Sequence, residues 1–162
     1  MFGPASLLLL LLASTSFAGT PARPDLAVTA VAPPAASITP GASVTAGATT
    51  KNVGQKRSPK STTLFYLSRD RKKGKGDIRL AGKRLVKALK PKGSVRGTTR
   101  VKVPATVTPG SYFVLACADA LKKVKEATEK NNCKASKKSL TVRAPTGPAT
   151  QRCRRGACRR PR

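Results

Sequence analysis

The strongest constraint on this chain is its punctuation: Pro and Gly turn signals recur about every ten residues and cut the sequence into short runs. Asp25 to Val31 alternates for part of its length and ends in Pro33-Pro34, which can neither donate to a β ladder nor continue it. Ser43 to Lys51 is rich in Thr and Ala and closes at Asn52-Val53-Gly54, a turn in which Asn and Gly can both take positive φ. Thr62 to Leu67 is mostly β-branched and aromatic, so it reads as a strand covered on both faces. A basic loop runs from Ser68 to Arg79. Val95 to Val103 then places Thr99, Val101 and Val103 on one face and Arg100 and Lys102 on the other, the half-buried edge pattern. Pro109-Gly110 turns into Tyr112 to Asp119, and Ser139 to Val142 is the last short strand. Two stretches have helical spacing: Ile78, Ala81, Leu85 and Leu89, then Leu121, Val124 and Thr128. Both are short and crowded with like-charged Lys, which destabilises a helix, so they read as irregular crossing segments. The expected fold class is all-β, an antiparallel β-sandwich of about seven strands.

Charge limits the chemistry. The 162 residues carry 33 Lys plus Arg against 6 Asp plus Glu, with no His, for a net charge of +27. A Ser-His-Asp triad, a Cys-His pair and an HExxH zinc site each need a residue type this chain lacks. The four cysteines leave only an all-thiolate zinc site, and they lack the paired CxxC spacing such sites use. No enzyme activity, cofactor, metal site or small-molecule substrate is therefore expected.

The apolar run Leu7 to Ala13, followed by small residues at Ser16 and Ala18, reads as a signal peptide over 1–18 with cleavage after Ala18. The run is far shorter than the roughly 20 residues of a membrane span, so the mature chain is expected to lack a transmembrane segment. The expected location is secreted and extracellular, including association with a cell surface. The expected organisation is a linker at 19–23, a sandwich domain at 24–142 and an Arg-rich disordered tail at 143–162.

In an oxidising compartment four cysteines suggest disulfides and allow three connectivities. Cys117 lies in an apolar strand-like run and Cys133 follows the turn-prone Asn131-Asn132, while Cys153 and Cys158 share the tail. The economical pairing joins Cys117 to Cys133 and Cys153 to Cys158, with links between chains open to the tail pair. Closing the first loop would contribute about 3 kcal/mol in the chain-entropy account.

The run Pro109-Gly110-Ser111-Tyr112-Phe113-Val114-Leu115-Ala116-Cys117-Ala118-Asp119, with Val124-x-Glu126-x-x-Glu129-x-Asn131-Asn132-Cys133, resembles the C-terminal half of a CARDB domain, the cell adhesion related domain found in bacteria. Pro24-Asp25-Leu26-x-Val28, Lys51-Asn52-x-Gly54 and Phe65-Tyr66-Leu67-Ser68-x-Asp70 are similar to its upstream parts, so the resemblance covers Pro24 to Val142. It implies an immunoglobulin-like sandwich, a module of secreted or surface-attached proteins with no catalytic role of its own. This sequence departs from the family in holding a single copy and in being far more basic.

Asp119, Glu126 and Glu129 gather with Asn131-Asn132, an oxygen density that could hold Ca²⁺. The ligand spacing is irregular, and pairing of these carboxylates with Lys122, Lys123, Lys125 or Lys130 is the stronger expectation. The basic residues concentrate at Arg69 to Arg79, Lys83 to Lys102, Lys122 to Lys138 and the tail. The expected polyanion-binding residues are Arg71, Lys72, Lys73 and Lys75 with Arg152, Arg154, Arg155, Arg159, Arg160 and Arg162. An exterior positive nearly everywhere attracts polyanions by Coulomb force and counterion release. The expected function is a secreted, non-enzymatic binding or adhesion-type module held electrostatically to anionic polysaccharide, wall polymer or a membrane surface, with non-specific nucleic acid as a further partner. The alternative is a cationic membrane-active or antimicrobial effector, which the absence of an amphipathic tail weakens.

Overall fold

The computed structural model describes residues 21–144, and these form ten β elements with no helix among the described residues. They are β1 (Leu26–Ala32), β2 (Ser37–Ile38), β3 (Ser43–Asn52), β4 (Ser61–Ser68), β5 (Ile78–Arg79), β6 (Arg84–Val86), β7 (Ser94–Lys102), β8 (Gly110–Cys117), β9 (Cys133–Ala135) and β10 (Leu140–Val142). One sheet has the order β1-β3-β7 and the other β2-β10-β8-β4-β5, with β6 also on β4 and β9 also on β8. The six strands expected from the punctuation are all present. The additional elements are two or three residues long, too short for a period to register. The stretch from Ile78 to Leu89 contributes β5 and β6 rather than an irregular crossing, and Leu85 faces solvent while Arg84 and Val86 point inward. One pair departs from the antiparallel expectation: β10 runs parallel to β2, which is confined between Pro34 and Pro40.

The core lies between the sheets. Leu26, Val28, Ala46, Ala48 and Val101 from the small sheet meet Phe65, Leu67, Tyr112, Val114, Leu140 and Val142 from the large one. Burying such side chains stabilises by roughly 1.5–3 kcal/mol each for the larger ones. Strand β4 is buried along nearly its whole length, as its composition requires. Its second face is largely buried as well, with Leu64 opposite Cys117 and Tyr66 opposite Leu115, and Lys73 stands over the Tyr66 ring.

Two local motifs fix the sandwich ends. The Tyr112 hydroxyl donates to the Thr108 carbonyl at 3.0 Å, the tyrosine-corner arrangement of immunoglobulin-like folds. Asn52, fully buried, accepts from the amides of Asp25 and Gly54 and donates to the carbonyls of Lys56, Leu89 and Lys90. Neither Asn52 nor Gly54 has the positive φ their sequence suggests. Gly54 is needed for another reason: a Cβ there would stand 2.5 Å from the Arg23 carbonyl.

Candidate functional site

The Cys117–Cys133 disulfide is present and joins directly opposed residues of β8 and β9. Cys153 and Cys158 lie outside the described residues, as do Arg152, Arg154, Arg155, Arg159, Arg160 and Arg162 and the segment read as a signal peptide.

The carboxylates are the key to the electrostatics, and the structure assigns them differently from the expected pairing with lysine. Each of the six accepts a hydrogen bond from an amide of the fold. Asp119 accepts from the Val124 amide at 2.8 Å, and Glu126 from the Leu26 amide at 3.0 Å and from the Asn132 side chain. Glu129 accepts from the Glu126 amide, Asp25 from the Asn131 side chain, Asp70 from the Lys72 amide and Asp77 from the Gly74 amide. Of the six, Asp25, Asp119 and Glu126 are buried, and Asp119 and Glu126 cap backbone amides, because an unmet buried amide costs more than a screened surface ion pair returns; Asp70 and Glu129 are exposed and Asp77 is half-buried. Burial pushes the Glu126 carboxyl up to about 7, opposed by the Asn132 and Leu26 hydrogen bonds and helped by Glu129 and Asp119. The one ion pair among the described residues is Lys73 with Asp77, at 3.5 Å. Nearly every surface cation is consequently left without a carboxylate.

The basic loop between β4 and β5 lies back against the large sheet. At the sandwich end Arg69 stacks over the core-facing Tyr112 at 5.0 Å and donates to its hydroxyl and to Thr108, and on the outer face Arg71 stacks over Phe113 at 4.8 Å and donates to the Lys137 carbonyl. Lys73 stands over the Tyr66 ring at 4.4 Å. Of the four loop residues expected to meet polyanion, Arg71 and Lys73 are therefore partly engaged with aromatic faces, and Lys72 and Lys75 are exposed. The sequence holds the aromatics and the cations, but their stacking depends on the return path of the loop, which no local pattern encodes.

A second cationic surface lies on the small sheet. Strands β3 and β7 pair without interruption from Ser43 opposite Lys102 to Lys51 opposite Ser94. Their outward positions place Thr45 beside Arg100, Gly47 beside Thr98 and Thr49 beside Arg96. Arg96, Thr98, Arg100 and Lys102 are exposed, and none of the six carboxylates lies on β1, β3 or β7. The signal for this row is the period of two in Ser94-x-Arg96-x-Thr98-x-Arg100-x-Lys102, of which Arg100 and Lys102 stand out in the sequence.

Among the described residues no three Asp, Glu, Cys or His side chains gather as metal ligands. Asp119 and Glu129 do line one recess, but Lys73 and Lys122 line it with them.

Two packed sheets, a tyrosine corner and Greek-key-like crossing between layers define an immunoglobulin-like β-sandwich. The chain belongs to the CARDB family, a cell adhesion-related domain, whose profile matches residues 23–136. Among solved structures, the CARDB domain of a Pyrococcus furiosus protein in complex with di-metal ions is 22% identical with a TM-score of 0.51, over 74% of this chain and 89% of that one. A domain from Methanosarcina acetivorans, assigned to a cell surface protein, is 21% identical with a TM-score of 0.52, over 74% of this chain and 92% of that one. These likenesses are likenesses of fold. No curated protein matches the sequence.

Proposed function

We propose that the protein is a secreted, non-enzymatic binding module that associates electrostatically with anionic polymers of the cell envelope or its surroundings. The observation that carries this reading is that each of the six carboxylates accepts an amide hydrogen bond, three of them from buried positions, and that among the described residues Lys73 alone forms an ion pair with one. A surface of that kind attracts polyanion over distances set by the ionic strength, about 8 Å at physiological salt. Lys72 and Lys75, with Arg71 and Lys73 beside them, form one contact region in this reading, and the Arg-rich tail forms another. Export rests on the segment 1–18, cleaved after Ala18, and agrees with the presence of a disulfide. The division proposed is signal at 1–18, linker at 19–23, sandwich at 24–142 and tail at 143–162. Fractionation of producing cells into medium, wall and membrane tests the reading: the protein should appear outside the cytoplasm and leave the wall fraction in salt. Leakage of anionic vesicles at the same concentrations would favour a membrane-active effector instead.

A further inference from the structure

We propose that the outward face of the β1-β3-β7 sheet is a docking surface for an extended phosphodiester-linked polymer of the envelope, a proposal that rests on the polyanion-binding reading above. The face has an unusual composition for an exposed sheet. From β1 it takes Ala27, Ala30 and Ala32, the last two turned outward by the irregularity at Thr29; from β3 it takes Thr45, Gly47 and Thr49. A Cβ at Gly47 would meet the Ala32 Cβ at 3.3 Å and the Thr98 methyl at 3.5 Å, so the three strands are closed at that point into a floor of small side chains. A shallow depression in this floor is bounded by Ala30, Ala32, Gly47, Thr49 and Arg96.

Along the border of that floor runs the cationic row of β7. Residues two apart on a strand stand about 6.8 Å from one another, so Arg96 and Arg100 are roughly 14 Å apart with the Thr98 hydroxyl between them. Lys102 extends the row by one step, and Lys51 adds a half-exposed cation on β3. No ion pair or side-chain hydrogen bond among the described residues engages Arg96, Arg100 or Lys102.

The chemistry of this face selects among polyanions. A guanidinium fork spans the two non-bridging oxygens of a phosphodiester as it does the two oxygens of a carboxylate, so the polygalacturonate arm of the test separates those two, and the Thr45, Thr49 and Thr98 hydroxyls lie where a polyol linker would pass. Nucleic-acid bases call for aromatic stacking platforms, and membrane insertion calls for large apolar side chains. The face carries neither, while the aromatic residues Tyr66, Tyr112 and Phe113 sit under cations on the other sheet. A flat floor with charge along one border suits a linear chain lying along the strands.

The test compares the full mature chain with the pair Arg96→Glu and Arg100→Glu, and with Lys60→Glu and Lys87→Glu, which has the same net charge but alters the exposed β4 and β6 side. A third variant, Thr98→Trp, obstructs the floor without changing charge. Binding to poly(glycerol phosphate) is measured across a salt series, with polygalacturonate and single-stranded DNA as competing probes. The arginine pair should lose at least about tenfold more affinity than the lysine pair and reduce the salt slope by about two, one per phosphate contact. Thr98→Trp should weaken binding several-fold with an unchanged melting temperature. Equal losses in the two charge-reversed pairs would overturn the docking face while leaving electrostatic binding intact. Failure of the unmodified chain to bind any of the three polymers would overturn both readings. Tighter binding of polygalacturonate or DNA through the same arginines would overturn the phosphodiester assignment.

Discussion

The guanidinium of Arg84 on β6 lies so close to Gly97 on β7 that a Cβ at position 97 would stand 2.6 Å from its Nε. Arg84 is only 6% exposed and meets no carboxylate; it donates to the Thr50 hydroxyl at 3.3 Å and the Val95 carbonyl at 3.2 Å. Desolvation by burial lowers its pKa. The arginine reaches from the large sheet into the margin of the small one, and the glycine gives up strand propensity to admit it.

Gly97→Ala should therefore destabilise the fold by about 1–3 kcal/mol, as overpacking of a filled site does. Arg84→Met removes a buried, unpaired charge and should be close to neutral or stabilising. Combining the two should recover most of the loss, a coupling that urea unfolding of the single and double variants measures directly.

The Glu126 carboxyl links β1 to the Asn131-Asn132 turn. Its rise from an ordinary 4.5 to about 7 means the folded chain holds a proton that the unfolded chain has released across that interval. Stability should fall as pH rises from about 4.5 to 7 and level off above, by up to roughly 3 kcal/mol in the linkage relation. Glu126→Gln should flatten the profile over that window. A stability that instead climbs with pH across it would contradict the assignment.

Non-reducing digestion should recover one peptide joining Cys117 to Cys133. Replacing both by Ala should lower unfolding stability by about 3 kcal/mol for a loop of this length. Recovery of a Cys117 to Cys153 link would contradict the strand register of β8 and β9.

Removing 151–162 takes away Arg152, Arg154, Arg155, Arg159, Arg160 and Arg162 together with Cys153 and Cys158. Affinity for wall polymer should fall, with a shallower salt dependence, while the melting temperature changes by less than about 2 °C, since the core among the described residues is built from Leu26 to Val142. A large drop in melting temperature would show that the tail packs on the sandwich.

The long strands were legible because each carries enough residues for a period or a β-branched run to register, from Leu26–Ala32 through Gly110–Cys117. Of the two- and three-residue strands β10 was legible, whereas β2, β5, β6 and β9 were not, since they exist by pairing with β10, β4 or β8 rather than by local preference. The Cys117 to Cys133 link was readable from the strand-like and turn-like settings of the two residues. The work of the carboxylates was not, because capping the Leu26 amide from Glu126 spans one hundred positions in the chain. The basic loop was visible as charge, yet the stacking of Arg71 on Phe113 and Lys73 on Tyr66 depends on tertiary placement.

The most direct test of electrostatic association is retention of the mature protein on isolated cell wall as salt is raised. Binding should weaken steeply, with log K falling linearly against log salt and several counterions released. Retention unchanged from low salt to about 1 M, where the screening length shrinks to about 3 Å, would contradict attraction by unpaired surface cations and point to a shaped recognition pocket.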